Sequence, residues 1–139
     1  MGKWIGLVAA SAAGGIARYV LTGAVYQVFG TRFPYGTLVV NLSGCFLIGV
    51  LNSLSEIKFL LGPNARMLLI IGFCGAFTTL STLMLESSNL MKNGDTVRAF
   101  ANVAATIVIG FFLFRMGEVL GTAMCRPWQL SITATTPTP

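Results

Sequence analysis

"GFCGAFTTLSTLMLE", Gly72 to Glu86, lies inside one of the most apolar parts of the chain, yet it carries Gly72, Gly75, Thr78, Thr79, Ser81 and Thr82 and ends on a carboxylate. A stretch bound for lipid has little use for so many hydroxyls and helix-loosening residues unless its backbone is interrupted. Glycine weakens a helix, while Ser and Thr hydroxyls can take over the carbonyls and N–H groups that a break releases. Such a break is tolerated in a membrane only where protein or a water-lined cavity supplies partners. Freed carbonyls from two such breaks, meeting across a two-fold axis, would form a cage of oxygens suited to a small hard cation. The competing reading is a packing face of small residues. Glu86 either terminates a polar path or caps the interfacial end of the helix.

Composition sets the wider context. Over half of the 139 residues are hydrophobic and charged residues make up 9%, where a soluble domain carries about 25%. The chain therefore belongs to the membrane class. It contains no His, which removes imidazole relays and His-ligated metals. Cys45, Cys74 and Cys125 are scattered without a C-x-x-C pair and read as small buried apolar residues. The net charge of +5 is read as flank anchoring and attraction of anions, with no nucleic-acid partner.

Four long apolar segments follow one another, at about Trp4–Phe29, Thr37–Ile57, Met67–Met91 and Val97–Ala123. "GTRFPYG", "KFLLGPNAR" and "KNGD" separate them, and "CRPWQ" follows the last. Each is near the roughly 20 residues that cross about 30 Å of hydrocarbon. The expected division is a four-helix transmembrane domain over residues 1–123 and a polar, disordered tail over 124–139, rich in Thr and Pro. The N-terminal "MGKWIGLVAASAAGG" is not read as a signal peptide, because apolar character resumes past Arg18 through "YVLTGAVYQVF". Nor is Gly2 a myristoylation site, since position 6 is Gly rather than Ser or Thr.

With four crossings both termini share one side of the membrane. Lys3, Lys58, Arg66 and Arg126 would lie there, and Arg32, Lys92 and Arg98 opposite. So even a distribution gives the insertion machinery almost no instruction. Insertion both ways round is therefore expected, and two opposed copies would reproduce the inverted symmetry of many transporters.

Several polar residues interrupt the spans. Arg18 is either a snorkelling or capping arginine, or the cation of an aqueous vestibule that concentrates anions; a lipid-facing position would cost about 2.5 kcal/mol or more. Arg115 invites the same two readings, with capping favoured by nearby Glu118. Asn41, in "GTLVVNLSG", either bonds a neighbouring helix or offers two amide donors to a dehydrating anion. Asn102 and Thr106 share one face of the fourth span as a polar rail or a helix contact, and Gly117 and Gly121 form a G-x-x-x-G packing pattern.

Together these residues resemble the Fluc (CrcB) family of small fluoride channels, over nearly the whole chain from "AAGGIARYVL" to "FRMGEVLG". "GTLVVNLSG" is similar to the family's G-T-x-x-V-N-x-x-G, and "GFCGAFTTLSTLMLE" to its G-x-x-G-G-x-T-T-F-S-T-F-x-x-E. The resemblance implies an all-α subunit of four transmembrane helices with a broken third helix. It further implies an antiparallel dual-topology homodimer in the cell inner membrane, with two fluoride pores and a structural Na⁺ at the dimer centre. By the same resemblance the carbonyls of Gly75 and Thr78 would hold the Na⁺. Asn41, Thr79, Leu80, Ser81, Thr82, Leu83, Asn102 and Thr106 would line the fluoride path, with Arg18 and Glu86 at the vestibule. Leu80 and Leu83 stand where the family has phenylalanines, and Gly110 and Phe114 where it has hydroxyls. A phenyl ring has a positive edge that can meet an anion, and leucine has none.

Two other classes compete with the channel. A poorly conducting or partner-dependent subunit of such a channel is consistent with the missing aromatics. A small multidrug exporter needs a membrane-embedded carboxylate in the first span, which holds Arg18 and no acid.

Overall fold

A computed structural model describes residues 1–56 and 61–135, with side chains as far as Cys125. Each apolar segment folds as helix, and four helical stretches are long and apolar enough to cross a membrane: Gly2–Phe29, Tyr35–Glu56, Pro63–Lys92 and Thr96–Cys125. The first is α1 (Gly2–Phe29), closed by Gly30, whose φ of 75° only glycine adopts readily. Pro34 then precedes α2 (Tyr35–Glu56). Ile57 and Lys58, counted above with the second span and its basic flank, lie outside the described residues.

The third span is irregular. It starts with α3 (Pro63–Arg66), where Pro sits at the helix start that suits its missing N–H. Met67–Cys74 is wound as a wide π-helix, and the short α4 (Gly75–Phe77) follows. Thr78 and Thr79 are both extended, with ψ of 160° and 116°, before α5 (Leu80–Lys92) resumes. A turn at Gly94 (φ 82°) leads into α6, which runs from Thr96 to Thr135. Helix thus carries on past the boundary expected at residue 123.

Packing follows small residues. Along α2 and α6 the contacts rise together: Gly110 lies against Leu42 and Cys45, Gly117 against Phe46, Gly49 and Val50, and Gly121 against Val50 and Ser53. The two helices therefore run parallel, as the second and fourth of four crossings must. At Gly49 and Gly117 the approach is backbone to backbone, because a Cβ on either would strike the carbonyl of Phe114 or Phe46 respectively. The G-x-x-x-G of α6 is thus the seam between the second and fourth spans. Ser53 ties the same seam, donating from Oγ to the Glu118 carbonyl at 2.7 Å. Arg115 pairs with Glu118 on its own helix; it lies inside α6 rather than at an end, so it does not cap the helix.

The first span joins through equally close contacts. A Cβ on Gly14 would strike the Phe73 carbonyl, and one on Gly72 would lie 2.9 Å from Ala10 Cβ. Within the chain α1 is the peripheral helix and α2 the central one: the most apolar windows are 6% and 33% buried respectively.

Candidate functional site: the break in the third span

At the break the chain must satisfy backbone groups that a continuous helix would pair internally. Thr78 still gives its N–H to the Cys74 carbonyl at 3.0 Å, and its hydroxyl bonds the same oxygen. Thr79, four residues after Gly75, does not continue the pattern. Its N–H goes to Asn41 Oδ1 at 2.8 Å, while its carbonyl accepts from Asn41 Nδ2 at 3.0 Å. The Asn41 amide thus stands in for a neighbouring peptide, one donor and one acceptor against one residue's backbone. Asn41 is buried at 6% exposure, so both bonds are made away from solvent. This is the helix-contact role set out for Asn41, directed at the break itself, and one of its two amide hydrogens remains over.

The hydroxyls have a structural task as well. Thr79 Oγ1 accepts the Thr82 N–H at 3.2 Å and so caps the N-terminus of α5. Its hydroxyl also bonds Thr82 Oγ1 at 2.9 Å and lies 3.3 Å from Ser81 Oγ. Ser and Thr are preferred at such caps because their oxygens satisfy orphan N–H groups. Thr82 N–H would otherwise serve the Thr78 carbonyl, which is instead approached by Arg18 Nη1 at 3.5 Å. Close packing fixes the geometry: a Cβ on Gly44 of α2 would strike the Thr78 methyl group.

Beside the break, α1, α2 and α5 enclose a cleft of about 420 Å³, bordered by Arg18, Thr22, Thr37, Thr79, Thr82 and Glu86 among others. Glu86 closes one end: its Oε1 accepts from Thr37 Oγ1 at 2.8 Å and from Tyr26 Oη at 3.1 Å. The same carboxylate borders a second cleft of about 450 Å³ that contains Arg32, Asn89 and Asp95. Its other oxygen is buried without a partner among the described residues. Tyr26 and Thr37 were not singled out in the sequence as partners of Glu86. Thr37 sits in the quoted second-span motif, but Tyr26 has no local signal.

The remaining candidates are dispersed. Asn102 is fully buried and donates from Nδ2 to Ser87 Oγ at 3.1 Å, a contact between α5 and α6. Thr106 turns its hydroxyl back to the Asn102 carbonyl at 2.8 Å. Neither lies along the Arg18 cleft. Leu80 and Leu83 part company: Leu80 is 70% exposed and Leu83 is 1% exposed, locked into the core. Within one chain they do not share a path. Gly75 and Ser81 are exposed near Leu80, so the break presents an uncovered face.

That difference gives a direct expectation. Within a single chain Leu80→Phe has room for the ring and is expected to shift the stability of that chain by less than about 0.5 kcal/mol. Leu83→Phe inserts extra volume into a filled site and should cost about 1–3 kcal/mol. Thermal unfolding in detergent reads both, and equal losses would contradict the burial difference.

As to a cation, the oxygens here are hard backbone carbonyls of the kind that suit Na⁺ or a similar ion. The Gly75 carbonyl has lost the Thr79 donor and, among the described residues, is free for one. The Thr78 carbonyl is likewise outside helical bonding, with only the Arg18 contact among the described residues. The donor set fits, though one chain supplies too few ligands to enclose an ion.

Four hydrophobic crossings, one of them interrupted and repaired by a buried amide beside an arginine-bordered cleft, describe a small multi-pass membrane protein. The sequence profile of the family described as "CrcB-like protein, Camphor Resistance (CrcB)" matches residues 5–118, and the chain belongs to that family. Among its relatives is a fluoride-specific ion channel FluC of Methylocella silvestris, 40% identical over 123 residues, which cover 87% of this chain and 94% of the relative. The protein of the same description in Maridesulfovibrio salexigens is 40% identical over 87% of this chain and 96% of its own length. That of Solidesulfovibrio magneticus is 43% identical over 84% and 94%.

Proposed function

We propose that this chain forms a fluoride channel that lets cytoplasmic fluoride leave passively across the cell inner membrane, and that it is not an enzyme. The observation that carries this reading is the cleft beside the break, where Arg18 and the hydroxyls of Thr22, Thr37, Thr79 and Thr82 stand within an otherwise apolar set of spans. The names of the relatives support the same ion. Fluoride is small and strongly hydrated, so it crosses only where donors replace its water. Neutral donors do so without trapping it. Arg18 raises the local anion concentration, and the Thr22 and Thr82 hydroxyls, which donate to no other side chain among the described residues, take over solvation with the spare Asn41 hydrogen; Thr37 and Thr79 already donate to Glu86 and Thr82.

In this reading two copies assemble in opposite orientations and carry two pores. The exposed face at Gly75, Leu80 and Ser81 supports an arrangement in which a second copy covers the break. A structural sodium ion, held by the carbonyls of Gly75 and Thr78 from both copies, would neutralise the oxygens gathered there. The balanced basic flanks support dual topology. Single cysteines placed at Lys3 and Arg32 are expected to react with impermeant reagent from both sides of the membrane. One-sided labelling at either position would rule out opposed copies.

Fluoride efflux from liposomes containing this chain alone tests the function. Efflux that excludes chloride is the expected result. A well-folded protein without efflux would favour the partner-dependent subunit, a reading supported by Leu80 and Leu83 in place of the family's phenylalanines.

A further inference from the structure

We propose that Arg18 and sodium are alternative occupants of the Thr78 carbonyl, so that cation binding at the break sets whether the guanidinium faces the break or the anion cleft. The inference rests on the reading of the break as a sodium site. Its basis is the position of Arg18 between two environments. Nη1 reaches the Thr78 carbonyl at 3.5 Å, and the same side chain borders the cleft with Thr22, Thr37, Thr79, Thr82 and Glu86.

The carbonyl is open to this competition because its helical donor has been removed. Thr82 N–H, which would bond Thr78 in an unbroken helix, is held by Thr79 Oγ1. Arg18 is the cation beside it and is not committed elsewhere. The ion pairs among the described residues are Arg98–Asp95 and Arg115–Glu118, and neither involves Arg18. One carbonyl oxygen stabilises one positive charge well. Two cations sharing it repel each other. The arginine stem is long and flexible enough to swing its head away while its chain stays packed.

Coupling follows from this competition. When Arg18 gives up the Thr78 carbonyl its charge is available to the cleft, where it favours an anion. By thermodynamic reciprocity an anion that holds Arg18 in the cleft also favours sodium at the break. Sodium would thus both close the structure at the break and charge the anion path.

The test uses the purified full chain in detergent, with sodium chloride exchanged against N-methyl-D-glucamine chloride at constant ionic strength. The sodium concentration that gives half of the thermal stabilisation is compared between wild type and Arg18→Gln, which removes the charge and keeps donors. Relief of the competition is expected to lower that concentration about tenfold, with Arg18→Lys staying within about twofold of wild type because the charge is kept. Equal sodium dependence in wild type and Arg18→Gln overturns the competition and leaves the sodium reading standing. No sodium dependence in either overturns both. The wild-type protein alone gives a second measurement should the glutamine variant fail to fold. Fluoride binding followed by ¹⁹F NMR is expected to be at least about threefold tighter in saturating sodium, and equal affinity would overturn the coupling.

Discussion

Asn41→Ala is expected to unfold the break. Removing the amide leaves the N–H and the carbonyl of Thr79 without partners at a buried position. Each unsatisfied buried polar group costs about 1–3 kcal/mol, so the loss should be about 2–6 kcal/mol, the largest single-residue effect on the third span. Asn41→Asp keeps an acceptor for the Thr79 N–H but sets a carboxylate oxygen against the Thr79 carbonyl. It should destabilise comparably and also abolish fluoride flux, by repelling the anion. Thermal unfolding in detergent and liposome efflux separate the two roles. Unchanged unfolding in Asn41→Ala would show that the amide does not hold the break. Unchanged flux in a folded Asn41→Asp protein would remove Asn41 from the anion path.

A second large effect is expected at the α2–α6 seam. In Gly117→Val the new Cβ would strike the Phe46 carbonyl and approach the Val50 nitrogen to 3.0 Å. Neither atom is the end of a flexible side chain, so the helices must separate along their length. Lipid tails offer no hydrophobic penalty against separation, and close packing is the main force holding membrane helices together. A cost of about 3 kcal/mol or more is expected, at or above the upper range for overpacking, with loss of monodisperse protein on extraction. Gly23→Ala is the matching control, because nothing lies within 4 Å of a Cβ there. It should leave the unfolding temperature unchanged or slightly raise it. A Gly117→Val protein as stable as wild type would mean that the seam is not sealed by backbone contact.

The spans were legible in the sequence because membrane crossing imposes one dominant requirement, length of apolar chain. The interruption near Thr78 was legible for a related reason: glycines and hydroxyls are costly in lipid unless the backbone needs them. What repairs the interruption was not. Asn41 could have bonded any neighbouring helix, and its choice of Thr79 depends on how two spans are brought side by side. Burial was the least legible property. In a soluble protein Leu80 and Leu83 would be told apart by their polar neighbours, but a lipid-facing leucine and a core leucine obey the same composition rule. The π-helical winding of Met67–Cys74 gave no signal either, since that stretch is almost uniformly apolar. Tyr26 as a partner of Glu86 was invisible because it joins residues 60 apart.

The amide clamp also has a consequence for how the chain enters a membrane. Asn41 and Thr79 are 38 residues apart, and Arg18 and Thr78 are 60 apart. The third span alone carries a peptide with neither of its polar groups paired, so it is not a finished membrane segment when it emerges during synthesis. Its transfer into lipid becomes more favourable when the second span stands beside it with Asn41 turned toward Thr79. Docking of the second span against the third is therefore expected to complete insertion, since it pairs the Asn41 amide and the Thr79 peptide in one step.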